Sequence, residues 1–277
     1  MIIQPRDREI LSSILRYGLM STSQITKTFF SSVAHTTVMR RLRKIERLGL
    51  IARREGLPNS MSAWCLTQEA GRLLGQEIVT RYTNRNIISH EVALTDLRMS
   101  FDTIEFGQNW TSESELRRKM GQSDGRSRGN AIVPDGLFVA KRASKNCVVA
   151  VELELHAKNS ARYDHVFSAY RSRRSVSYLW YIVTDPTIEK TLFKRWEPQK
   201  QNGELKLIVS RLKDILADPK TATICEQDGS TYSIASFFEL GFPHSDAQRV
   251  SKYSPQALSM PDGIDSQENQ IHHPTPS

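Results

Sequence analysis

Cysteine is scarce: Cys65, Cys147 and Cys225 stand far apart among 277 residues, each in or beside an apolar stretch. That excludes a disulfide framework and a cysteine-rich metal centre, and fits reduced core thiols. No apolar run reaches the length of a membrane span, and the N-terminus shows neither a secretory hydrophobic segment nor a processing site. A cytoplasmic chain without a membrane partner is therefore expected. Hydrophobic residues, at 39%, suffice for a packed core, and 25% charged residues suit a solvated surface. Acidic residues are few where it matters most. Residues 1–80 hold 12 Lys or Arg against 6 Asp or Glu, so this segment carries +6 of the total +8. Basic charge concentrated on a small module suits a polyanion, because neutralising phosphates drives salt-sensitive association.

The pattern inside that segment is a winged helix-turn-helix. Ile10, Leu11, Ile14 and Leu15 recur on one face of a helix over Arg6–Tyr17, with Pro5 at its start and Gly18 at its stop. A second helix begins after Ser21 or Thr22, a suitable N-cap. The third is basic and centred on residues 35–45; Val38, Leu42 and Ile45 face inward while Arg40, Arg41, Arg43 and Lys44 reach solvent. Two short strands, 51–54 and 61–66, flank the turn residues Gly56-Leu57-Pro58-Asn59 and form the wing, and Thr67 caps a helix to about Leu74. A helix has the width of the major groove, so Ser32, His35, Thr36 and Thr37 at its polar start are candidate base or phosphate contacts. Arg40, Arg41, Arg43, Lys44, Arg53 and Arg54 are candidate backbone contacts. A basic helix is also compatible with a plain solvated face or with a protein partner.

Residues 81–102 form a longer connecting helix, with Ile87, Ile88, Val92, Leu94, Leu97 and Phe101 on its apolar face. It offers a dimer seam, and His90 suits core packing or a polar bridge to the following domain. From 103 to 245 the pattern alternates. Strands are expected at 103–106, 132–139, 147–155, 177–184 and 205–209, and helices at 161–173 and 187–196, with a basic glycine-rich loop over 121–130. This order makes an α/β domain on a central mixed sheet. Within it, Asp135 follows Pro134, and Glu152 and Glu154 share one face of an apolar strand. Carboxylates so placed cost several kcal/mol unless paired or holding a cation. Two readings stay open: an ion-pair network with Lys158, Arg162 or the Arg126/Arg128 loop, or a Mg²⁺ site on Asp135 and Glu152.

Asn86–Arg98, Val133-Pro134-Asp135-Gly136 and Val151-Glu152-Leu153-Glu154 resemble the replication-relaxation family of plasmids and other mobile elements. The resemblance covers roughly residues 5–200. It implies a winged helix joined to a restriction-endonuclease-like domain, whose Pro-Asp and acid-x-Lys strands hold Mg²⁺. Asp135 and Glu152 match the two acids, Glu154 takes the lysine position, and Glu113 matches an acid sometimes found before the core strands. Lys158 can replace that lysine only if the following helix folds back toward the site. The resemblance thus supports the fold more strongly than cleavage.

Beyond 246 the chain is polar and proline-rich, with His272 and His273 near its end, and disorder is expected. The leading reading is a DNA-binding protein of a mobile element, acting in transcriptional control, replication or transfer initiation and needing no cofactor to bind. Double-stranded DNA is the expected partner, a homodimer the expected state, and other mobile-element proteins are further candidate partners. A Mg²⁺-dependent endonuclease using Asp135, Glu152, Glu154 and Lys158 is the alternative, and a protein-interaction adaptor the third reading.

Overall fold

A computed structural model describes residues 3–57, 61–78, 84–123, 132–173, 175–196 and 205–240. The Pro58-Asn59 turn, the Arg126/Arg128 loop and the tail with His272 and His273 lie outside the described residues.

The first module follows its caps. Helix α1 (Pro5–Tyr17) opens with proline and a reciprocal cap between Gln4 and Asp7, and Gly18, at φ 86°, ends it. Strand β1 (Leu19–Ser21) leads into α2 (Thr22–Phe29), where Ser21 and Gln24 cap each other. Helix α3 (His35–Arg47) buries Val38, Leu42 and Ile45. Strands β2 (Ile51–Arg54) and β3 (Ala63–Leu66) complete a sheet ordered β1-β3-β2, and Thr67 caps α4 (Gln68–Leu74). The three-residue β1 is an addition to the expected two-stranded wing.

Arg41 corrects the expectation that every basic residue of α3 reaches solvent. Its guanidinium turns back into the module and grips both carboxylate oxygens of Asp7, which is only 2% exposed. The same carboxylate accepts from the Gln4 backbone N–H at 2.9 Å. Arg41 therefore fastens α3 to the start of α1.

Helix α5 (Arg85–Phe101) links the two halves and belongs to the core of each. Ile88 and Val92 cover the outer face of the wing sheet at Leu19, Ala63 and Cys65. Leu94, Leu97 and Phe101 enter the larger core. Thr95 Oγ1 donates to Leu19 O at 2.6 Å, and Gln24 Nε2 to Val92 O at 2.8 Å. Asp102, just past the helix, receives Arg16 at 2.6 Å and the Tyr17 hydroxyl. The apolar residues proposed for a dimer seam are largely used inside the chain.

The next stretch departs from expectation. Residues 103–106 are not a strand but a turn entering a short 3-10 helix, Glu105–Gln108. After β4 (Thr111–Ser112) comes an unanticipated helix, α6 (Glu113–Ser123). The remainder runs β5 (Gly136–Arg142), β6 (Lys145–Glu154), α7 (Ser160–Arg171), β7 (Tyr178–Val183), α8 (Pro186–Arg195) and β8 (Lys206–Arg211). Small closing elements follow: α9 (Leu212–Ala217), β9 (Thr223–Glu226), β10 (Thr231–Ser233) and α10 (Ile234–Phe237). The seven strands order as β10-β9-β8-β7-β6-β5-β4, with β6, β7 and β8 parallel and the other pairings antiparallel. Helices α7 and α8 form the crossovers that parallel neighbours require. Alternation divides β6 cleanly. Val149, Val151 and Leu153 face α5 and an aromatic cluster, while Ala150 faces Tyr163, Phe167 and Tyr170 across the sheet. The order α5-β4-α6-β5-β6-α7-β7, with β4, β5 and β6 antiparallel and β7 parallel to β6, is a restriction-endonuclease-like core.

Two substitutions probe this packing. The Trp110 ring occupies the space that a Cβ on Gly136 would fill. Gly136→Ala is expected to cost about 1–3 kcal/mol through overpacking, read as a lowered urea midpoint. Arg41→Ala leaves the Asp7 carboxylate buried without its cation and is expected to cost about 3 kcal/mol. It should leave the salt dependence of DNA binding by the folded fraction unchanged; a flattened salt slope would return Arg41 to the DNA surface.

Candidate functional site

Two sites emerge, one on each module. On α3 the outward residues are Thr36, Arg40, Arg43 and Arg47, all exposed. Their spacing of four, three and four residues puts them in one row on the helix. Arg47 is absent from the sequence expectation, although the same spacing marks it. Ser32 and His35 are exposed at the head of this row, Thr37 and Lys44 are half-buried on its flanks, and Arg41 points away from it. In the wing, Arg53 stays at the surface, donating from Nε to Ser62 Oγ at 2.6 Å with Glu55 at 3.4 Å. Arg54, one residue on, sits half-buried on the sheet face toward α5, beside Cys65. The two wing arginines are thus not equivalent.

The second site forms where β5 begins and β6 ends. Pairing of Gly136 with Val151 carries Asp135, just before β5, to the level of Glu152. Asp135 Oδ2 accepts from the Leu153 N–H at 2.7 Å and lies 3.3 Å from His90 Nε2. His90 Nε2 is also 3.1 Å from Leu153 O. Glu152 Oε1 accepts from the Tyr170 hydroxyl at 2.6 Å. A cavity of about 530 Å³ opens over these groups, with Lys158 and Arg162 at its wall.

Charge balance there is tight. Burial pushes the Glu152 carboxyl up, and the neighbouring Asp135 charge pushes it further. Burial raises Glu91 to about 7, against the pull of His90. For His90 burial acts downward, but the hydrogen bond and charge of Asp135, with Glu91 adding, outweigh it and lift the imidazole to about 9. His90 is accordingly a cation held among carboxylates. It does bridge two elements, as expected, but the bridge ends at Asp135 in the cavity. The sequence hint was its place one turn of α5 from Leu94, beside Glu91.

Lys158 does fold back. Its Nζ lies 2.9 Å from Glu154 Oε2, and this bond lifts the ammonium's pKa despite burial. Glu154 itself is 3% exposed and sits behind the cavity as the partner of Lys158. Asp135, Glu152 and Lys158 are thus brought together, whereas Glu154 is set apart from the open space. Glu113 also lines the cavity, held by Arg117 at 2.6 Å.

The donor set can be tested against Mg²⁺. Among the described residues no group of three or more His, Cys, Asp or Glu has metal-holding geometry. Mg²⁺ needs fewer, since it keeps several waters and is commonly held by one or two carboxylates. The contacts above occupy Oδ2 of Asp135 and Oε1 of Glu152, and burial, with the Asp135 charge adding, raises the Glu152 carboxyl. These two hard oxygen donors fit the ion.

Among solved structures, the chain is similar to the restriction endonuclease FokI bound to DNA, at 10% identity and a TM-score of 0.25. That alignment covers 76% of this chain and 43% of the endonuclease, so the chain matches less than half of that structure, and the likeness is too loose to argue from. No curated protein matches the chain. No described helix is long and apolar enough to cross a membrane. The replication-relaxation family model matches residues 11–180, spanning the winged helix, α5, the acidic cavity and β7 as far as Trp180. The chain belongs to the replication-relaxation family, a membership that supports a DNA-binding role in the replication, transfer or transcriptional control of mobile elements.

Proposed function

We propose that the chain holds double-stranded DNA on the outward face of α3, with the endonuclease-like domain as a scaffold behind it. The observation that carries this reading is the exposed row Thr36, Arg40, Arg43 and Arg47 on one face of a helix whose other face is core. Arginines along such a row grip backbone phosphates, while Ser32, His35, Thr36 and Thr37 at the helix start lie where base edges are read. Lys44 and Arg53 flank the row as secondary contacts, while Arg54, turned to the sheet face toward α5, stands apart from it. Arg41, held by Asp7, is left out of this reading. Winged helices commonly read paired half-sites, so a homodimer belongs to this reading, with a seam outside the buried face of α5. A two-fold symmetric site selected from a random DNA library would support it.

The direct test is Arg40→Ala/Arg43→Ala/Arg47→Ala. Every arginine removed from a phosphate should reduce the slope of log affinity against log salt by about 0.9, or about 2.7 for all three. Unchanged affinity and slope would overturn the reading.

A second reading, a Mg²⁺-dependent endonuclease, is favoured by the return of Lys158 to the cavity that holds Asp135 and Glu152. Asp135 and Glu152 would hold the metal. A bound Mg²⁺ supplies Lewis acidity toward a phosphate oxygen and acidifies water. The chain's own groups orient the site: Leu153 N–H and His90 fix Asp135, and the Tyr170 hydroxyl fixes Glu152. Supercoiled, linear and single-stranded DNA incubated with Mg²⁺ or Mn²⁺ should give products that vanish in Asp135→Ala. No metal-dependent product from any of the three would set the reading aside.

A further inference from the structure

The cavity's cations do not all serve its acids. Lys158 is matched by Glu154 at 2.9 Å, Arg117 by Glu113 at 2.6 Å, and His90 by Asp135 at 3.3 Å. Arg162 and His165 are different. They project into the same cavity from successive turns of α7, and both are exposed at its edge. Neither side chain has an ion pair or hydrogen bond among the described residues. Asp164, the acid between them in sequence, leans toward Arg195 at 3.6 Å instead. A guanidinium and an imidazole N–H thus stand side by side at the mouth, donors without acceptors.

We infer that this mouth is a second nucleic-acid site, distinct from α3, which takes a single strand by its phosphates. Arg162 and His165 supply the donors. A guanidinium presents a planar fork that matches phosphate, and imidazole offers an N–H in either protonation state. The Asp135 carboxylate on the floor repels phosphate and keeps the backbone at the rim. A cavity of about 530 Å³ has the volume of a site for one small molecule, so an unpaired nucleotide of a strand lying along the rim can enter it. Contacts to phosphate alone make the site indifferent to base sequence. One chain can then hold a duplex at α3 and a separated strand at the second domain. Such a site needs no metal, so it stands or falls apart from the endonuclease reading.

The test uses the full chain carrying Arg40→Ala/Arg43→Ala/Arg47→Ala, so that binding through α3 is weakened. A short oligothymidylate is the probe, at low salt. Adding Arg162→Ala/His165→Ala should lower its affinity by about tenfold or more and reduce the salt slope by about 0.7 for each phosphate set free, the single-strand value. In the background with α3 intact, the same pair should change duplex affinity less than about threefold. Acylation of histidines by diethyl pyrocarbonate, followed peptide by peptide, gives a second readout that does not depend on any substitution. Oligothymidylate should slow modification of His165 while the exposed His156 reacts at its former rate. Equal reaction of His165 with and without the strand, or an affinity unmoved by the double substitution, would overturn the inference. Equal protection by free thymidylate or inorganic phosphate at the same phosphate concentration would also overturn it, in favour of a free-anion site. If the α3 substitutions leave duplex binding unchanged, it is the reading of α3 that fails, and the His165 readout still decides this one.

Discussion

Helix α5 must bury two of its sides in two different cores, and the rest of the molecule is arranged around that demand. Ile88 and Val92 close the outer face of the wing sheet, while Leu94, Leu97 and Phe101 fill the space beneath the seven-stranded sheet. Such a helix lacks the single polar stripe of a surface helix, because little of its middle meets water. Its hydrogen bonds from Thr95 to Leu19 and from Gln24 to Val92 hold the helix-turn-helix at a set attitude. The same helix delivers His90 to the acidic cavity, with Glu91 beside it. The DNA-facing module and the cavity are therefore positioned by one rigid element.

The cavity shows how a protein keeps several carboxylates close together without collapse of the site. Every acid has its own partner: Asp135 has Leu153 N–H and His90, Glu152 has Tyr170, Glu154 has Lys158, and Glu113 has Arg117. Each partner comes from a different part of the chain, namely α5, α6, β6, the β6–α7 connection and α7. Burial, with the Asp135 charge adding, still holds the Glu152 carboxyl above the usual carboxylate range. Such a shift is characteristic of sites that take up a cation or a proton during function.

Much of this is legible in the sequence because it is local. Ser21 and Thr67 mark helix starts by their side-chain caps, Gly18 marks a stop, and the inward spacing of Val38, Leu42 and Ile45 defines α3. Asp135, Glu152 and Lys158 also stand out in the sequence, and they meet. The failures are non-local. Arg41 looks like its neighbours until Asp7, thirty-four positions away, is seen to hold it. Strand β1 exists because β3 pairs with it, which three residues of sequence cannot announce. The apolar residues near Phe106 resemble a strand, yet that ring stacks on Phe138 from a short 3-10 helix. Helix α6 is hidden by its polarity. Glu154 occupies the lysine position in the motif, and only the path of the chain after β6 shows Lys158 supplying the charge.

The double burial of α5 bears on how this chain can be altered. A winged helix is often treated as a cassette that can be cut out and joined to another partner. Here the cut would strip Ile88 and Val92 from Leu19, Ala63 and Cys65 and leave an apolar sheet face in water. On the proposed reading of α3, sequence preference would have to be rewritten in place at Ser32, His35, Thr36 and Thr37, and any lineage exchanging its reading head would have to carry α5 along.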